Sequence, residues 1–156
     1  MQFIAFAALL IVFGLISCNS QKKTTEADGT QQTEAVSDTI PYVIANNYFI
    51  NNDVDSVPEV IKTEAEFARC FGMAPVMGEG GKPTSIDFAK QFVIVAAVPP
   101  TDLYTEITPS SLKEEDGKLV FNCKITKGEK LSYITHPFVM IAVDKQYEVP
   151  VKVVFK

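Results

Sequence analysis

The run Phe92-Val93-Ile94-Val95-Ala96-Ala97-Val98 constrains the fold more than any other feature of this sequence. It leaves neither face of an extended segment polar, so the strand it forms must be covered on both sides. The surrounding pattern is also that of strands. Tyr42–Ile50 is rich in aromatic and β-branched residues, and Tyr104–Leu112 and Leu119–Ile125 flank the stretch 113–118. Asp116-Gly117 within that stretch is a strong hairpin signal. In the second arm Leu119, Phe121, Cys123 and Ile125 share one face, while Val120, Asn122 and Lys124 share the other. Pro137–Val143 is a further buried run. Val149, Val151, Val153 and Phe155 alternate, and Pro150 suits an edge strand because it cannot donate to a ladder.

One helix is expected. Thr63 is a good N-cap, Glu66 stands three residues later as in a capping box, and Gly72 can close the far end. Phe67, Cys70 and Phe71, at i, i+3 and i+4, give it one apolar stripe. The segment Gly72–Gln91 is rich in Gly and Pro, and loops of that length are often functional or mobile. The fold class is therefore mainly β (α+β): an antiparallel sheet, curled into a sandwich or a partial barrel, with one short helix packed on it.

The first part of the chain has a different character. Residues 3–16 carry no polar side chain. At about 1.5 Å per residue they reach only about 21 Å as a helix, short of the roughly 30 Å hydrocarbon core, which favours a signal-peptide apolar region over a membrane-spanning helix. Leu15-Ile16-Ser17-Cys18 follows directly. It resembles the lipobox of bacterial lipoproteins, in which the cysteine is acylated and becomes the first mature residue. Only Gln2 precedes the apolar core, where such signals normally carry Lys or Arg. From Asn19 to Thr39 there is no aromatic residue and one large aliphatic, Val36. Such a stretch cannot offset its chain entropy by burial, and 21 disordered residues reach about 25 Å. The expected organisation is a signal peptide at 1–17, lipidated Cys18 with a disordered tether to 39, and a single domain at 40–156. The bilayer is then one partner, through acylated Cys18. Asn19 is not the Asp associated with inner-membrane retention, so the outer membrane is the expected location.

Charge excludes some partners. With 14 Lys+Arg against 19 Asp+Glu, the net charge of −5 gives no reason to expect nucleic acid. It also argues against an anionic membrane bound through a charged patch.

Candidate chemistry is sparse. His136 is the only histidine, so a hydrolase would have to combine it with Ser132 or Cys123. Ser132 lacks the glycine context of a nucleophile elbow, Cys123 points with the core residues, and a turn role for His136 is the simpler reading. Zinc would need more His or Cys ligands than remain after Cys18. Asn51, Asn52, Asp53 and Asp55 cluster oxygen atoms that suit Ca²⁺, but the Gly and distal Glu of an EF-hand loop are missing, and a polar exit from a strand explains them. Glu114, Glu115 and Asp116 read as solvated turn residues. Gly78-Glu79-Gly80-Gly81-Lys82 does not have the spacing of a phosphate loop. No catalytic residue, metal or cofactor is expected. Cys70 and Cys123 are the two remaining thiols of an exported chain and a candidate disulfide; both also fall on apolar faces where free cysteine is common.

Thr63-Glu64-Ala65-Glu66-Phe67, then Ile86–Ile94, then Pro100-Thr101-Asp102-Leu103-Tyr104-Thr105-Glu106-Ile107 occur in an order that resembles the PrcB C-terminal-like family. The hairpin at Glu115–Val120 and the segment Tyr133–Pro137 extend the likeness over most of residues 60–145. The resemblance implies an exported, often lipid-anchored, non-enzymatic protein that stabilises or contacts a protein partner such as a surface protease. The family's loop usually reads Pro-Thr-Gly-Gly-Tyr, similar to the inhibitor loops of chagasin-type proteins; here Asp102 and Leu103 stand in place of both glycines. The expected function is a lipid-anchored envelope binding or accessory domain, monomeric, with Pro99, Pro100, Thr101, Asp102, Leu103 and Tyr104 as the candidate binding loop beside the loop 72–84. The alternatives are a protease inhibitor-like domain and a small hydrolase.

Overall fold

The computed structural model describes residues 39–156. The signal segment, Cys18 and nearly all of the tether lie outside the described residues. In chain order the elements are β1 (Tyr42–Ile44), β2 (Tyr48–Ile50), β3 (Val60–Ile61), α1 (Glu64–Cys70), β4 (Phe71–Met73), β5 (Gln91–Ala97), β6 (Thr101–Glu115), β7 (Lys118–Thr135), β8 (Phe138–Asp144), a 3-10 turn (Lys145–Tyr147) and β9 (Val151–Phe155). They form one four-stranded sheet in the order β1-β8-β5-β3, a three-stranded sheet β6-β7-β9 and a two-stranded ribbon β2-β4. The fold is mainly β with antiparallel sheets and one short helix, and no sheet closes into a barrel.

The apolar run in β5 explains the layering. Phe92, Ile94 and Ala96 face one core cluster, shared with Ile107, Leu112, Leu119, Phe121 and Cys123 of the three-stranded sheet. Val93 and Val95 face the other way, into a second cluster with Ile61, Phe67, Cys70 and Phe71. β8 pairs with β5 along its length and divides in the same manner, Ile141 and Val143 to the first cluster and Met140 to the second. A strand apolar on both faces thus lies in the middle layer, between a second sheet and a layer made of α1 with the β2-β4 ribbon.

Helix α1 starts as expected. The Glu66 N–H donates to Thr63 Oγ1 at 3.2 Å, and the Glu66 carboxylate accepts from the Lys62 N–H and the Thr63 hydroxyl. These donors, the Lys62 N–H first, hold its carboxyl below the usual carboxylate range. The far end differs from expectation. The helix ends at Phe71, whose backbone is extended, and Gly72 lies within β4 rather than at a cap. Gly72 is needed for another reason: it pairs with Phe49, whose ring lies over it, and a Cβ there would collide with that ring. The helix carbonyls are closed from outside instead, since Asn51 Nδ2 donates to Ala68 O and Arg69 O.

Three further expectations change. Tyr42–Ile50 is two strands in two different sheets, because Asn47 adopts a left-handed backbone (φ 64°) between them. β9 is an edge strand, as Pro150 suggests, but it pairs parallel to β7. The candidate disulfide is absent: Cys70 and Cys123 are both free and buried, in the two clusters on opposite faces of the middle sheet.

Candidate functional site

The two connections that join the sheets leave the same end of the molecule. β5 and β8 pair Ala97 with Phe138, and there the chain passes through Val98–Pro100 into β6 and arrives from β7 through His136-Pro137. The Val98 N–H donates to Pro137 O at 3.1 Å. The chain's first described residues lie at the opposite end, where Tyr42 pairs with Val143 and the Ile40 N–H donates to Leu112 O.

The candidate loop 99–104 is shorter than expected. Thr101, Asp102, Leu103 and Tyr104 belong to β6, leaving Pro99 and Pro100, both exposed, in the connection. The strand is well held. Thr101 pairs with Thr135, the Leu103 N–H donates to Thr101 Oγ1, and the Thr105 hydroxyl donates to Leu103 O. Leu103, whose N–H and C=O both bond to these threonine side chains, stands on the sheet edge, where such bonds blunt pairing with another chain. Asp102 forms an exposed ion pair with Lys130 at 2.9 Å, a contact of small energetic weight. Leu103 is half-buried, while Tyr104 is exposed and packs beside Gly128.

Opposite the single residue Asp102, β7 accommodates the four residues 131–134, since Lys130 pairs with Leu103 and Thr135 with Thr101. This bulge pushes Tyr133 and Ile134 outward, to 61% and 73% exposure. An open cleft of about 360 Å³ lies alongside. Its walls are Val98–Thr101, Thr105, Ile125 and Lys127. The loop 72–84 belongs to this end as well, because Phe71, which leads into it, packs on Phe138 with ring centroids 5.2 Å apart. That loop is not slack. Asn47 Nδ2 donates to Gly80 O and Lys82 O, Tyr48 Oη donates to Thr84 O, and Val76 N–H donates to Gly81 O. Gly81 has no room for a Cβ against the Val76 carbonyl. The loop's tip presents Val76 and a fully exposed Met77.

The remaining candidates are placed apart. Cys123 is fully buried in the first cluster and its thiol is pushed up to about 11 by burial. Ser132 is exposed on the β7 bulge, and among the described residues His136 makes no side-chain hydrogen bond. No group of three or more His, Cys, Asp or Glu able to hold a metal occurs among the described residues. The prolines and Tyr104, named from the sequence as a candidate loop, lie at this end, whereas the exposed Tyr133-Ile134 bulge was not expected. Its signal is weak, since an apolar pair after Lys-Leu-Ser reads equally as a strand end.

The fold and this surface together define a layered β domain with an apolar-rimmed cleft at the end remote from Ile40. Compared with protein-family models, curated proteins and solved structures, the chain matches none of them.

Proposed function

We propose that this chain is a non-enzymatic, lipid-anchored binding or accessory domain of a bacterial cell envelope, held in the outer membrane through Cys18 and contacting a protein partner with the end that carries the cleft. The observation that carries the reading is the collection of exposed apolar side chains at that end: Pro99 and Pro100 on the cleft, Tyr104 on β6, Tyr133 and Ile134 on the β7 bulge, and Val76 and Met77 on the loop 72–84. Exposed apolar groups gathered in one region mark interaction sites more often than singly scattered ones do. Aromatic side chains held on ordered backbone lose little entropy on contact and make good anchors. Their position opposite the chain's first described residues lets a tethered domain present this end outward. The resemblance to the PrcB C-terminal-like family points the same way, toward a partner such as a surface protease.

The test is a pair of charge substitutions, Tyr133→Asp with Ile134→Asp, in the full chain expressed in its own envelope. Both side chains are solvent-facing, so the melting temperature should hold within about 3 °C. A photocrosslinker at Tyr104 should capture a discrete partner in the unsubstituted protein and at least tenfold less in the variant, about 1.4 kcal/mol of binding. Capture that is unchanged in a folded variant would remove this end as the contact surface.

A further inference from the structure

The net charge of −5 conceals a partition that only the strand register reveals. On the outer face of the β6-β7-β9 sheet, Lys113, Val120 and Lys152 form one rung, and Ser111, Asn122 and Val154 form the next. Thr108 and Lys124 follow, with Lys156 at the level of Lys124 because its N–H donates to Cys123 O and its C=O accepts from the Ile125 N–H. Carboxylates occur on this face only at its margins: Glu106 beyond Lys124, and Glu115 opposite Lys118 at the turn. None of Lys113, Lys124, Lys152 and Lys156 is in an ion pair among the described residues. The opposite layer has the reverse balance. Residues 51–70 hold Asp53, Asp55, Glu59, Glu64 and Glu66 against Lys62 and Arg69. The domain is therefore polarised across its layers, basic on the sheet and acidic on the helix.

We propose that the outer face of the β6-β7-β9 sheet docks on a bilayer containing anionic phospholipid. The inference rests on the lipid-anchored reading above, which supplies the reason why a bilayer lies within reach. Lysines near an anionic leaflet are attracted while the acidic helix layer is repelled, so the charge separation selects one orientation. From the turn to Thr108 the face is a sheet surface of Lys, Ser, Thr, Asn and Val, and the exposed Tyr104 lies beyond Glu106 at its far margin, so contact over the lysines is superficial and electrostatic. Each lysine brought to such a surface contributes a factor of about five. That is weak for a free protein. Anchorage through Cys18 raises the local concentration enough for it to set the orientation of an anchored one. In that pose the cleft, at the end of the strands, remains open to a partner alongside the membrane.

The experiment uses the mature chain from Cys18 with Cys18→Ser, which carries no lipid, and vesicles of phosphatidylethanolamine with phosphatidylglycerol or of phosphatidylcholine alone. Co-sedimentation should occur with the anionic vesicles only and should fade as salt shortens the screening length. The reversal Lys113→Glu/Lys124→Glu/Lys152→Glu should lower vesicle binding by about a hundredfold or more. The reversal Lys62→Glu/Arg69→Glu/Lys90→Glu, with the same change in net charge, should not. Circular dichroism must show both variants folded; if the first is not, the single changes Lys124→Glu and Lys152→Glu are read separately, each expected to cost about fivefold or more. Equal binding to both vesicle types, an equal loss in the two triple variants, or salt-sensitive dimers without vesicle binding would each overturn the proposal. Failure of the anchor reading appears elsewhere, as absence of palmitate labelling of the wild-type chain in cells, and leaves the vesicle result standing.

Discussion

Phe67 shows what a single side chain does in this fold. It is buried in the second cluster and meets three rings, those of Tyr48, Phe71 and Phe88, at centroid distances of 5.1, 5.2 and 5.4 Å. Phe67→Ala should therefore cost about 3 kcal/mol or more, through lost transfer energy and an unfilled cavity. Glu114→Ala, exposed beside the turn, should change stability by no more than about 0.5 kcal/mol. Urea melts of the two variants check this, and comparable values would contradict the packing of α1. Cys123 gives a pH dependence. Burial pushes its thiol from the ordinary value of 9.0 up to about 11. Burial first, and then the neighbouring Cys123, also raises the Tyr42 hydroxyl. Between these values the unfolded chain releases a proton that the folded chain retains. Stability is thus complete below about pH 9 and falls as pH rises toward 11, by about 2 kcal/mol. Urea midpoints at pH 7.5 and 10 should show the fall, and Cys123→Ala should flatten it whatever its effect at neutral pH. The apolar identity of both residues was legible in sequence, and so was the helix stripe. The role of Gly72 was not, because the ring that excludes a side chain there comes from Phe49, on a different strand.

Among the elements, the β6–β7 hairpin was the easiest to read and the hardest to measure. Asp116 and Gly117 both have positive φ, 51° and 71°, as the tight two-residue turn requires. Gly117→Val should cost roughly 1–2 kcal/mol, the strain of a branched side chain in the left-handed region, seen as a lower urea midpoint with an unchanged slope. An unaltered midpoint would mean that the turn does not fix the register. Strand lengths were not legible beyond this point. Expected arms of nine and seven residues became strands of 15 and 18, since bulges at 101/103, 103/105 and 109/111 let pairing continue where periodicity breaks. The loop 72–84 was visible as Gly-rich, but the clamp that orders it was not, because Asn47 reaches it across 33 to 35 positions. Asn47→Gly, which keeps the left-handed backbone, should leave global stability within about 1 kcal/mol, since one residue's side-chain bonds on the surface are lost. Limited proteolysis should then cut faster between Val76 and Lys82; an unchanged pattern would show that the glycine turns alone hold the loop.

For the whole molecule, the two-sided apolar strand was the feature from which the layering could be read, whereas nothing local announced the parallel pairing of β9, which depends on how β8 and the 3-10 turn return the chain. The same logic bears on where the domain begins. Among the described residues both clusters are built from Ile40 onward, and the polar composition of 19–39 gives that stretch little to contribute. Ile40 is different. It packs on the first cluster, and its N–H donates to Leu112 O at 2.8 Å, joining the edge of one sheet to the edge of the other. A chain beginning at Thr39 should melt with one beginning at Asn19, whereas a chain beginning at Tyr42 should lose about 2 kcal/mol. The loss combines one hydrogen bond and the partial burial of an isoleucine. Urea midpoints of the three chains decide it. Equal stability of the Thr39 and Tyr42 chains would show that the sandwich closes without Ile40. A large drop between the Asn19 and Thr39 chains would place structural weight on a segment whose composition argues against it.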